Sequence, residues 1–157
     1  MSKKVIDLGL FSPVFEAIGC LLEKQDRAIV AIDGPSSSGK TMLAGLINER
    51  YDCNVFHMDD FFLQDHQRRA KRLDEAGGNI DYERFLYELA SKIRVQNDFS
   101  YQIFDCELNK LTDFVDVTPN RLNIIEGVYS SHPLWNDMLD LKVFLTVDKA
   151  QQQQRIL

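Results

Sequence analysis

The stretch from Ala28 to Thr41 constrains this chain more than any other. Ala28 to Ile32 is a short, almost wholly apolar run rich in β-branched residues, which is how a strand buried on both faces of a parallel sheet reads. Asp33 ends it. Gly34-Pro35-Ser36-Ser37-Ser38-Gly39-Lys40-Thr41 follows at once and fits the pattern G-x-x-x-x-G-K-[S/T]. Thr41 to Tyr51 then places Met42, Leu43, Leu46 and Ile47 on one helical face. Buried strand, glycine-rich turn and helix in that order form a phosphate-binding loop, and each fixed position has a reason. Gly34 and Gly39 allow positive φ and bring backbone N–H groups against phosphate oxygens with no Cβ in the way. The helix starting near Lys40 aims its free N–H groups and positive dipole end at the same anion. Lys40 is placed to reach the terminal phosphates and the Thr41 hydroxyl to ligate Mg²⁺. ATP with Mg²⁺ is therefore the expected ligand of residues 34 to 41.

The rest of the chain continues the alternation. Ser12 as N-cap, Pro13 at the first helical position and Phe15, Ile18, Leu21 and Leu22 at helical spacing predict an amphipathic helix over 12–25. Asn54 to His57 reads as a second short strand. Tyr82 to Val95 reads as a helix with Phe85, Leu86, Leu89 and Ile93 on its apolar face. Tyr101 to Phe104 and Phe114 to Val117 read as a paired hairpin. Leu122 to Ile125 and Val143 to Val147 are two more buried strands, and Asp148 would cap a final helix containing Ala150, Gln154, Ile156 and Leu157. Strands alternating with helices imply a single α/β domain over 1–157, with a mostly parallel sheet flanked by helices.

Composition narrows the class. With 157 residues, 45% hydrophobic and 27% charged, the chain is long enough to bury a core without disulfides or structural metal. Cys20, Cys53 and Cys106 are an odd number with no C-x-x-C pair, so they read as reduced thiols of a cytoplasmic protein. No cleavable leader and no membrane-spanning run is recognisable. A net charge of −6 argues against a nucleic-acid binder, whose affinity comes from clustered Lys and Arg. The one basic cluster, Arg68, Arg69, Lys71 and Arg72, is followed by Asp74 and Glu75 and reads either as a solvated face or as a patch near an anionic substrate. His57, His66 and His132 are too scattered for a metal site, and His57 is expected to pack at a strand end.

A phosphate loop alone does not separate a kinase from a switch. Glu126 follows the apolar strand Leu122 to Ile125, where a carboxylate can hold Mg²⁺ directly or through water, and Gly127 beside it is expected to leave room next to the phosphates. Asp59 and Asp60 follow the second strand, which ends at the same edge. One of them is expected to face an acceptor hydroxyl as general base, while the other caps the next helix; capping by both is the plainer alternative.

The phosphate loop, His57-Met58-Asp59-Asp60-Phe61-Phe62, Gly78-Asn79-Ile80-Asp81-Tyr82-Glu83-Arg84-Phe85, Ile103-Phe104-Asp105-Cys106 and Ile125-Glu126-Gly127-Val128-Tyr129 occur in the order of the uridine kinase-like P-loop kinases, which have phosphoribulokinase and pantothenate kinase relatives. The chain resembles that family over residues 28 to 157. The resemblance implies that Asp59 activates a nucleoside 5′-hydroxyl, that Asp81 holds the ribose hydroxyls, and that Phe62, Ile80 and Phe104 line the acceptor pocket. It also implies an arginine-bearing lid just beyond Leu157. Where uridine kinases carry a tyrosine and a base-reading histidine, this chain has Phe104 and Asn109. The expected function is transfer of the γ-phosphoryl of ATP to a nucleoside such as uridine or cytidine, with no nucleic-acid or membrane partner and with self-association left open. Pantothenate or a sugar as acceptor, and a nucleotide-binding regulatory protein without catalysis, are the alternatives.

Overall fold

The structure, a computed structural model, describes residues 8–147; the helix expected after Asp148 lies outside them. Six strands form two sheets. β1 (Ala28–Asp33), β2 (Cys53–His57), β5 (Leu122–Glu126) and β6 (Leu141–Phe144) make a four-stranded sheet in the order β2-β5-β1-β6, while β3 (Phe99–Asp105) and β4 (Lys110–Val117) pair separately. All pairings within the larger sheet are parallel, and the small one is an antiparallel hairpin. The expected α/β architecture, a mostly parallel sheet flanked by helices, is what the chain adopts.

The continuous apolar reading of β1 has its explanation in two cores. Successive strand residues point to opposite faces. Ile29 joins Phe56, Phe61, Phe85, Leu89 and Trp135 on one side; Ala28, Val30 and Ile32 join Phe15, Ile18, Leu43 and Ile47 on the other. The second core is closed by helix α1 (Ser12–Lys24) and by α2 (Lys40–Arg50), which follows the glycine-rich loop. β5 is buried along its whole length and lies between β2 and β1, so its two faces feed both cores.

Several boundaries differ from the expectations. Ser12 is the first residue of α1 and makes no side-chain cap; Phe11 occupies the cap position. The helix expected over 82–95 is α-helical only over α3 (Tyr82–Phe85) and widens into a π-helical turn at Leu86–Ala90, where the Ser91 N–H donates to Leu86 O, five residues back, at 3.0 Å. The wider turn keeps Phe85, Leu89 and Ile93, four residues apart, in the first core. The hairpin strands are longer than expected and carry a bulge between Gln102 and Phe104. β6 begins earlier than expected, alternates half-buried with exposed residues, and pairs only with β1 among the described residues. No helix among the described residues is long and apolar enough to cross a membrane.

Candidate functional site

The phosphate loop wraps the carboxyl end of β1. Gly34 (φ 147°), Ser37 (φ 60°) and Gly39 (φ 98°) all take the left-handed half of backbone space. At Gly34 the glycine is obligatory on two counts, its φ and its surroundings: a Cβ there would lie 2.5 Å from Leu145 O and 2.9 Å from Ser38 Oγ. Gly39 caps α2 without a side chain, which leaves the helix N-terminus free of any capping group that would compete with an anion. Lys40 is buried; its ammonium donates to Pro35 O at 2.8 Å and to Ser38 Oγ at 3.5 Å. It is thus folded back over the mouth of its own loop, where a phosphate oxygen would compete with those neutral acceptors as a charge-assisted partner.

Strand register brings Glu126 beside His57. His57 on β2 and Ile32 on β1 both pair with Glu126 of β5, so the three strand ends stand side by side. Glu126 is buried. Its Oε1 lies 3.4 Å from the Thr41 hydroxyl, which donates to it, and 2.5 Å from His57 Nδ1. The Thr41 hydroxyl and the Glu126 carboxylate supply hard oxygen donors of the kind Mg²⁺ takes alongside substrate phosphates and water. No group of three or more His, Cys, Asp or Glu side chains among the described residues could hold a metal by protein ligands alone. The expectation that His57 merely packs at a strand end is corrected. Its imidazole is half-exposed and bonded to Glu126, and that hydrogen bond raises its pKa against the opposing effect of burial.

Asp59 and Asp60 sit in a 3₁₀ turn, Met58–Phe61, directly after β2, and neither caps it. Their environments diverge. Asp60 accepts from the Tyr101 hydroxyl at 3.3 Å, and burial raises its pKa against the charge of His57. Asp59 is exposed at the sheet edge; what desolvation it has, together with the charge of Glu126, raises its pKa, while His57 and Lys40 lower it. Asp59 therefore feels the Glu126 carboxylate and the loop lysine at once. Gly127 does not open space beside the loop as expected. Its φ is 136°, and a Cβ would meet Met58 Cβ at 2.7 Å, so the absent side chain lets β5 pass the turn that carries Asp59.

On the acceptor side, Phe62 and Ile80 form an isolated antiparallel bridge, and the Phe62 and Phe104 rings meet edge to face with centroids 6.5 Å apart. These three are together. Asp81 adjoins them, but both its oxygens are engaged: Oδ1 caps α3 through the Arg84 N–H at 3.1 Å, and Oδ2 accepts from Gln67 Nε2 at 3.0 Å. Asn109, in the hairpin turn, donates to Asp65 and so helps hold the loop that carries Gln67.

Asp33 escaped sequence reading. Its Oδ1 accepts from the Gly34 and Tyr129 N–H groups at 2.7 and 3.1 Å, and its Oδ2 from the Ser131 N–H at 3.0 Å. One carboxylate thereby pins the phosphate loop to the loop after β5, including Tyr129 at φ 68°. Only its position after a buried strand hinted at this, since an aspartate there reads equally as an exposed strand end.

No family model matches the chain. Over 140 residues it is 29% identical to a protein described as inorganic pyrophosphatase TTM2 of Arabidopsis thaliana, a match that takes in 87% of this chain and 20% of that protein. The chain thus spans about one fifth of that relative's length. Among solved structures it superposes on one described as a possible uridine kinase from Bacillus stearothermophilus, with TM-score 0.69 and 22% identity over 89% of this chain and 85% of that one. It also superposes on D-glycerate 3-kinase from Cryptococcus neoformans, with TM-score 0.55 and 17% identity over 74% of this chain and 50% of that one. Both solved structures share the α/β fold of this chain.

Proposed function

We propose that this chain is an ATP-dependent phosphotransferase that moves the γ-phosphoryl to an alcohol group, with a nucleoside such as uridine or cytidine as acceptor. The reading is carried by the convergence of Lys40, the Thr41–Glu126 pair and Asp59 on one edge of a parallel sheet, where ligands bind in open α/β folds. The kinase-like folds of both solved structures support it. Mg²⁺, bound with the nucleotide, would neutralise polyphosphate charge. The chain's own residues do the positioning. Backbone N–H groups at the start of α2 orient the phosphates, Lys40 supplies a preorganised cation, and Thr41 and Glu126 would hold the ion. Asp59 takes the acceptor's proton, because Asp60 is committed to Tyr101. Phe62, Ile80 and Phe104 form the apolar wall of the acceptor side. Three free thiols suit the cytoplasm.

Two observations favour other acceptors. Asp81 is held on both oxygens, which favours a small hydroxyl compound other than a ribonucleoside, such as pantothenate or a sugar. The relative named as an inorganic pyrophosphatase favours water as acceptor. One experiment separates them: incubate the protein with Mg²⁺ and ATP against a panel of nucleosides, pantothenate and sugars, measuring ADP, inorganic phosphate and the mass of any phosphorylated product. ADP release stimulated by a nucleoside, with its monophosphate as product, supports the proposal. Product from a different alcohol moves the acceptor. Phosphate release with no acceptor dependence supports hydrolysis, and ATP binding without turnover leaves a regulatory role.

A further inference from the structure

The acceptor half of the site is assembled from three separate stretches of chain: the 3₁₀ turn with Asp59, the start of α3 with Asp81, and β3 with Phe104. Arg84 touches all three. Its side chain is 9% exposed. Nη2 donates to Asp60 O and Nη1 to Gln102 O, each at 2.5 Å, and Nη1 also donates to Glu88 Oε2 at 3.2 Å. Glu88 Oε2 in turn accepts the Gln102 N–H at 3.0 Å, so the Arg84–Glu88 pair clamps both backbone polar groups of Gln102. The guanidinium lies 4.6 Å from the centroid of the Phe61 ring. Nε stands 3.7 Å from Asp81 Oδ2 with no hydrogen-bond partner.

Burying such a cation is a poor route to stability, since well-packed apolar side chains serve as well or better. What a guanidinium alone offers is a rigid planar fork that holds two fixed acceptors on different segments at once. Here the two acceptors are the carbonyl next to the base candidate and a carbonyl of the strand that carries the pocket wall. From this arrangement we infer that Arg84 is a positioning residue for the proposed transfer: it sets the distance between Asp59 and the Phe62–Ile80–Phe104 wall, without touching the phosphate loop. The inference rests on the kinase reading for its catalytic consequence, while the positioning itself is separately measurable.

The test uses the full chain carrying Arg84→Lys, which keeps the buried charge and loses the fork, and Arg84→Met, which loses both. Three readouts are needed: affinity for a fluorescent ATP analogue, acceptor kcat/KM with the alcohol that the panel above identifies, and amide hydrogen exchange. Affinity for the analogue should stay within about twofold of the original chain's, because residues 34 to 41 are untouched. Acceptor kcat/KM should fall on the order of 10²-fold, the scale of an ångström-sized misplacement. Exchange should quicken over residues 58–62 and 99–104 and stay unchanged over 34–41. Uniformly faster exchange, unchanged exchange at 58–62, or an ATP-analogue affinity that falls in step with acceptor efficiency would each overturn the inference. Should Arg84→Met not fold, Arg84→Lys carries the same readouts; failure of both to fold assigns Arg84 a purely structural role and also overturns it. An original chain with no acceptor-dependent turnover sinks the kinase reading instead, and the exchange pattern still decides whether Arg84 positions the two segments.

Discussion

The Nδ1 atom of His57 lies 2.5 Å from Oε1 of Glu126, at the end of the neighbouring strand. In the nucleotide-free, metal-free protein this contact makes stability pH-dependent. The hydrogen bond to Glu126 raises the imidazole pKa, burial lowers it, and the charges of Glu126, Asp60 and Asp59 add to the rise. A raised folded-state pKa contributes stability in full below the unfolded value of about 6.5 and loses it as pH climbs through the folded value. Melting temperature of the metal-free protein should therefore decline from about pH 6.5 upward, and His57→Gln should flatten that decline. An equally steep decline in the variant would assign it to other groups.

Lys40→Ala should raise the barrier for phosphoryl transfer by about 3 to 4 kcal/mol, by analogy with loss of one preorganised donor. The buried ammonium now rests on Pro35 O and Ser38 Oγ, neutral acceptors, and Pro35 O keeps the Ser38 N–H in the variant, so folding should survive. Steady-state turnover beside a thermal melt checks both halves; undiminished turnover would refute the loop assignment.

Asp59→Asn should lower kcat by roughly 10² to 10⁴, with ATP affinity nearly unchanged. Asp60→Asn should act mainly through the Tyr101 contact and cost less. Because desolvation and Glu126 raise the Asp59 pKa, the acid limb of the rate profile should sit above the ordinary aspartate value of about 3.9. A profile for Asp59→Asn that keeps the same acid limb and the same kcat would move the base elsewhere.

Gly127→Ala should destabilise the fold on the order of 2 kcal/mol, since the new Cβ adds overpacking to a backbone conformation that L residues resist. The clash is with Met58 Cβ at 2.7 Å, at φ 136°. Chemical denaturation measures it, and an unchanged midpoint would show that the turn carrying Met58 shifts to accept the new Cβ.

Burial, helped by Asp52, pushes the Cys53 thiol up to about 11. At pH 8 only about one part in a thousand would be thiolate, the form that reacts. Iodoacetamide labelling read by mass spectrometry should find Cys53 far slower than a free cysteine at pH 8, with the rate climbing toward pH 10.

Much of the fold was legible because its signals are local. The glycine spacing from Gly34 to Gly39, the apolar runs of β1 and β5 and the helical face of α2 each lie within a dozen residues, and run length, β-branched content and flanking glycine separate strand from helix there. The π-helical turn at Leu86–Ala90 was not legible, since Phe85, Leu89 and Ile93 fit an ordinary helix nearly as well. Nor was the exposure pattern of β6, whose apolar residues resemble those of a central strand until its neighbours are known.

The sequence by itself determined that strand, loop and helix would form around residues 28 to 50, and that Lys40 and Thr41 would open the helix after the glycine-rich loop, because backbone conformation and side-chain period act over short range. Only the tertiary structure decided that His57 would meet Glu126, 69 residues away, that Asp33 would tie the phosphate loop to Tyr129 and Ser131, and that Asp59 would stay exposed while Asp60 met Tyr101. Those partners are set by strand register and by which loops share a sheet edge, and a register is chosen by burying both faces of β5 at once.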